Sequence, residues 1–224
     1  MLHTAFRGLL PALATLLGST LALAQLPAGL PKAPTTMASP TPMTADTAAM
    51  AQSPADTAAA KLDAALAARN KGDKAATVSA LNAGVAAAEA QAATSKGDFK
   101  DKLMSQAGNL KKLIPGVSSG LVGGNVLSKA VSLVKMALGA NQISSLLGGG
   151  GGLLGSVGAL TGGLNLMKGA LPAIGGGSAA TTGNSLISNA LAGVGKLSGV
   201  GGAAAEPAVK QQLGGVLNFA KGLL

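Results

Sequence analysis

Twenty-seven of the chain's 34 glycines fall between residues 116 and 224. A glycine inside a helix costs about 0.5–1 kcal/mol relative to alanine, because it loses the most backbone freedom on folding. It also brings no side chain to a core. Such a segment can hold helices only if leucine and valine recur at helical spacing between the glycines and the richest glycine runs serve as joints. The rest of the chain narrows the choice further. Phe6, Phe99 and Phe219 are the only aromatic residues, and cysteine, tryptophan and tyrosine are absent. A core must then be aliphatic and hold by packing, without disulfides.

Met1 to Arg7 is a basic start, Gly8 to Leu21 is apolar, and Ala22-Leu23-Ala24 precedes Gln25. This pattern predicts a secretory signal peptide over residues 1–24, cleaved after Ala24. The apolar run is shorter than the roughly 20 residues a spanning helix needs. Lipid attachment at that point would require a cysteine. Cleavage would remove His3, the only histidine. The processed chain would then hold no imidazole base, no thiol nucleophile and no His/Cys set for a transition metal. The expectation is a non-enzyme with no cofactor and no metal, exported to the periplasm, the envelope or the medium.

Three compositional zones follow. Residues 25–53 carry Pro27, Pro31, Pro34, Pro40 and Pro42 among Thr, Ala and Met, and read as a disordered linker. Residues 54–115 read as an Ala-rich module of three helices. Ser53-Pro54-Ala55-Asp56 supplies a cap, a first-turn proline and an acid, and Leu62 and Leu66 share a face with Ala55, Ala58 and Ala59. Asn70-Lys71-Gly72 stops that helix and Asp73 caps the next, whose seam is Val78, Leu81, Val85, Ala88 and Ala92. Gly97-Asp98 repeats the signal before Phe99, Leu103, Ala107, Leu110 and Ile114, and Pro115-Gly116 is the expected end. The Gly-Asp turn resembles one tetratricopeptide unit, but the aromatic positions and a second copy at that period are missing, so a plain helical hairpin is the reading.

Residues 116–224 read as Gly-jointed amphipathic helices. Asn125 is the expected cap of a helix with Leu127, Val131, Val134 and Leu138 on one face, and Gly148 to Gly152 the joint after it. Leu160–Leu171 matches Leu213–Leu224 at seven of twelve positions, and Val126–Val131 weakly echoes Leu186–Leu191. Duplication and chance similarity in a simple composition both account for this.

Chemical motifs fail on their missing partners. Ser132 and Lys135 have S-x-x-K spacing without the accompanying elements. Gly193 to Gly199 resembles a phosphate loop with Ala190 and Leu197 at two required positions. Glu206 precedes Pro207 at another expected helix start, so Asp63 and Glu89 are the only acids without a capping or linker position, and nothing nearby suggests a sugar platform.

The chain has 17 Lys and Arg against 8 Asp and Glu. Residues 116–224 carry six lysines against Glu206 alone. The predicted contact residues are Lys129, Lys135, Lys168, Lys196, Lys210 and Lys221, and the matching partner is an anionic membrane surface or an acidic envelope polymer. Nucleic acid is disfavoured, since Arg69 is the only arginine after the leader and no aromatics interleave to stack bases. Small-xxx-small spacings at Gly120/Gly124, Gly151/Gly155, Gly158/Gly162 and Gly195/Gly199 suit self-association of helices. The predicted fold class is all-α. The predicted function is a non-catalytic exported protein of the cell envelope; the alternatives are a membrane-permeabilising bacteriocin-like toxin and a periplasmic binder of a small apolar ligand.

Overall fold

Ser53 caps the first helix as its sequence predicts, its hydroxyl oxygen accepting from the Asp56 amide. The computed structural model describes residues 53–95, 98–149, 152–199 and 202–224. They form α1 (Pro54–Asn70), α2 (Lys74–Thr94), α3 (Asp98–Ser119), α4 (Gly124–Gly148), a 3-10 turn (Leu153–Ser156), α5 (Val157–Ile174), α6 (Ser178–Leu197) and α7 (Gly202–Leu223). The fold is all-α, with no strand among the described residues. The expected leader, and the linker up to residue 52, lie outside them.

Each helix packs on the next, and α4 also touches α1, α2 and α7. Two cores result, the first aliphatic and the second including Phe99, and α4 belongs to both. Leu127, Val131, Val134 and Leu138 join Leu62, Leu81, Leu103 and Leu110 of α1 to α3. Met136, Ala140 and Ile143, on its other side, join Leu160, Leu164 and Met167 of α5 and the buried faces of α6 and α7. Burying one such side chain contributes about 1.5–3 kcal/mol, so each face of α4 is a large share of its core. The compositional change at residue 115 therefore falls within α3 and is no break in packing.

Three helix ends differ from the sequence reading. Pro115 does not end α3, which continues to Ser119. A proline there removes one backbone hydrogen bond, while Val117 beyond it is buried in the first core. The stop is Gly120 at φ +79°, with Leu121 N–H donating to Gly116 O and Gly120 N–H to Val117 O, the paired closure of a left-handed helix end. Gly72, at φ +77°, closes α1 the same way. Asn125 is not a cap, since α4 begins at Gly124 and no side chain caps it. α7 begins at Gly202 rather than at Pro207, which lies inside it.

The stronger echo falls on α5 and α7 in one phase: Leu160 and Leu213, Gly163 and Val216, and Met167 and Ala220 are buried, while Lys168 and Lys221 face outward. The weaker echo falls on α4 and α6 at unequal heights. Gly139 meets Gly163 in the first hairpin and Gly193 meets Val209 in the second. On that register Ile187 lies beside the α7 echo segment, whereas Leu127 lies beyond the end of the α5 segment.

Candidate functional site

The six lysines divide evenly. Lys135 is largely covered and reaches both Asp63 carboxylate oxygens at 2.8 Å, fastening α4 to α1. Lys210 pairs with Glu206 one turn earlier at 2.8 Å. Lys221 donates to Asp98 at 2.6 Å and lies 5.7 Å from the centre of the Phe99 ring, linking α7 to the start of α3. Lys129, Lys168 and Lys196 are exposed, with no acidic partner among the described residues. These three do not share one patch. Leu171, one turn from Lys168, meets Gly183 of α6, and Lys196 stands thirteen residues further along α6, about 20 Å of helix.

The carboxylates answer to these cations. The hydrogen bond and charge of Lys221 hold the Asp98 carboxyl below its ordinary range. Lys210, chiefly by its hydrogen bond, does the same for Glu206 against an opposing effect of burial, and the charge of Lys210 and the Leu153 amide add to the lowering. The two acids that lacked an assignment in the sequence are both engaged: Asp63 by Lys135, and Glu89 by Lys111 at 3.5 Å. Lys135 is thus held by Asp63, while Ser132 is buried in α4. The loop-like Gly193–Gly199 stretch is mostly helix: α6 runs to Leu197, and Gly193 packs against Val209 and Gln212 of α7. No three His, Cys, Asp or Glu residues among those described come together as metal ligands.

A second cationic locus was not visible in the sequence. The α1–α2 and α3–α4 turns lie side by side, with Lys74 Nζ against Gly120 and the Arg69 guanidinium against Gly124. Between them is a cavity of about 220 Å³ lined by Arg69, Gly72, Lys74, Thr77, Val117, Gly120 and Val122. Lys71 is exposed beside it. Asp73 is the one acid there, and its carboxylate caps α2 by accepting from the Ala76 amide at 2.9 Å. Leu121 projects from the same turn at 86% exposure, and Val126 follows at 54%. The sequence signal was the pair of glycine stops, but nothing local says that turns fifty residues apart become neighbours.

The described glycines of the spacings singled out for self-association do not make the close helix–helix contacts of the fold; Gly151 lies outside the described residues. Gly155, Gly158 and Gly195 have open space where a Cβ would go, and Gly120 is a turn residue. Close approach falls instead to Gly139 with Gly163, Gly84 with Leu62, and Gly183 with Phe219 and Leu171. Comparison with protein-family models, curated proteins and solved structures finds no match.

Proposed function

We propose that the protein is a non-catalytic exported helical protein that associates with an acidic surface of the cell envelope, either membrane or polymer. The observation that carries this reading is the unneutralised charge of residues 116–224. Lys129, Lys168 and Lys196 stand exposed on three helices without acidic partners among the described residues, on a surface whose apolar side chains are mostly turned inward. Contact of this kind is electrostatic, weakens with salt, and contributes about 1 kcal/mol per basic residue near an anionic bilayer.

The test is flotation of the chain from Gln25 onward with vesicles of phosphatidylglycerol and phosphatidylcholine, beside phosphatidylcholine alone and an acidic polysaccharide resin. Recovery on an anionic phase at low salt, and its loss at high salt, is the expected result. The triple change Lys129→Gln, Lys168→Gln and Lys196→Gln should weaken it. Equal recovery from charged and neutral phases would overturn the reading. The full chain is used because a piece ending near residue 115 would lack α4, a wall of the first core.

One observation favours permeabilisation as a second reading. α4, with 25 residues and a mean hydropathy of 1.2 over its most apolar window, is long and apolar enough to cross a membrane, although 61% of that window is buried inside the fold. Dye release from the same vesicles separates the readings, because surface association floats without leakage.

A further inference from the structure

We propose that the paired turns at one end of the first four helices are the membrane-docking element, with Leu121 entering the headgroup layer of an anionic bilayer and Arg69, Lys71 and Lys74 meeting lipid phosphates. The proposal rests on the envelope reading above and names the membrane as the surface.

The geometry of Leu121 is the starting point. In a helix end closed by a left-handed glycine, the residue after the glycine ordinarily folds back on the last turn as an apolar contact. Leu121 holds that position and does the opposite, at 86% exposure. Val122 makes the inward contact in its place, packing against the first core and lying so near Gly116 that a Cβ there would be 2.6 Å from it. The chain therefore spends one apolar residue on closing the turn and presents another to solvent. Val126 adds a second exposed apolar side chain one turn into α4.

The charge around this prong is predominantly positive. Arg69, Lys71 and Lys74 come from the end of α1 and the start of α2, and Asp73 is engaged in capping. The tip is thus net cationic by two charges, with Arg69 and Lys74 lining the 220 Å³ cavity beside the prong. Apolar side chains set among cations suit a phospholipid surface, whose phosphates lie just outside its acyl chains. A soluble anion would use the cations and leave Leu121 without a role.

Flotation of the processed full-length chain tests this, with vesicles of phosphatidylglycerol and phosphatidylcholine. The double change Lys71→Gln and Lys74→Gln alters only exposed side chains and should weaken partitioning about 30-fold. Leu121→Gln should weaken it about 10-fold, while Lys129→Gln with Lys168→Gln and Lys196→Gln has the smaller effect. Melting curves by circular dichroism check that each variant is folded. Because the chain has no cysteine, Leu121→Cys can carry a single environment-sensitive dye. Its emission should shift to the blue on anionic vesicles, and the same dye at Ser105→Cys, exposed on α3, should not shift. If the parent chain floats and the tip variants float equally well, the docking element lies elsewhere and the envelope reading survives. If the parent chain fails to bind the anionic vesicles, the docking proposal falls with the membrane form of that reading.

Discussion

Gly139 and Gly163 bring the backbones of α4 and α5 together where neither residue has room for a side chain. A Cβ on Gly163 would stand 3.0 Å from the Gly139 carbonyl oxygen and 3.0 Å from Ile143 Cγ1, and a Cβ on Gly139 would press on the Gly163 carbonyl. Forcing a methyl group into such a contact moves backbone, at about 1–3 kcal/mol. Gly139→Ala and Gly163→Ala should each lower the denaturant midpoint, read by circular dichroism. Gly169→Ala and Gly214→Ala lie in helices with open space around them, and should raise it through a stabilisation of about 0.5–1 kcal/mol. A uniform response across the four would mean that the close approach is not what those glycines serve.

Gly72 separates backbone strain from crowding. Its φ is +77° and nothing lies within 4 Å of where a Cβ would sit. Gly72→Ala should therefore destabilise by about 1–2 kcal/mol through the left-handed conformation alone. Gly72→Asn should cost less, because asparagine enters that region more readily. Thermal melts of the two variants check the order.

Acid should loosen the contact between α7 and the start of α3. The folded carboxyl of Asp98 titrates below its unfolded range because Lys221 hydrogen-bonds and attracts its charged form. A depressed folded value gives stability that is present above the unfolded pKa and disappears as pH falls through the folded one. Glu206 behaves likewise through Lys210. Unfolding midpoints measured from neutral pH into the acid range should fall at and below the ordinary carboxylate values. Asp98→Asn should flatten part of that decline while lowering stability at neutral pH.

Asn141 is fully buried, and its amide nitrogen donates to Ser95 Oγ while Oδ1 has no partner among the described residues. An unpaired buried acceptor costs about 1–3 kcal/mol. Asn141→Leu keeps the number and branching of the side-chain heavy atoms and removes that group, and Ser95 still donates to Gln91 O. Its stability should equal or exceed that of the parent, whereas Asn141→Ala should lose about 2 kcal/mol or more by opening a cavity. A leucine variant as unstable as the alanine one would show that the amide is satisfied and contributes.

The parts of the fold legible in sequence are those governed by neighbours along the chain. Ser53, Gly72 and Asp73 mark their helix ends because capping and left-handed closure act within four residues. The stripes of α2 and α3 are legible because each lies on a single helix face, although Phe99 at the start of α3 packs in the second core and the rest of its stripe in the first. Pro115 and Pro207 misled for a tertiary reason: a single lost hydrogen bond is outweighed where the residues beyond the proline pack. α4 was half visible. Leu127, Val131, Val134 and Leu138 announce one face, while Met136, Ala140 and Ile143 form a second whose partners lie later in the chain. The lysines show the same divide. Lys210 meets Glu206 at a spacing of four, but Lys135 finds Asp63 across 72 residues and Lys221 finds Asp98 across 123, and no local pattern encodes either pair.

That α4 lines two cores at once has a mechanical consequence. Its 25 residues make a strut about 37 Å long, with one end beside the basic turn and its length gripped from both sides. Neither half of the molecule can slide, tilt or melt without disturbing a wall of the other. A load applied at the turn would be carried into the far core as a rigid displacement rather than absorbed by a hinge.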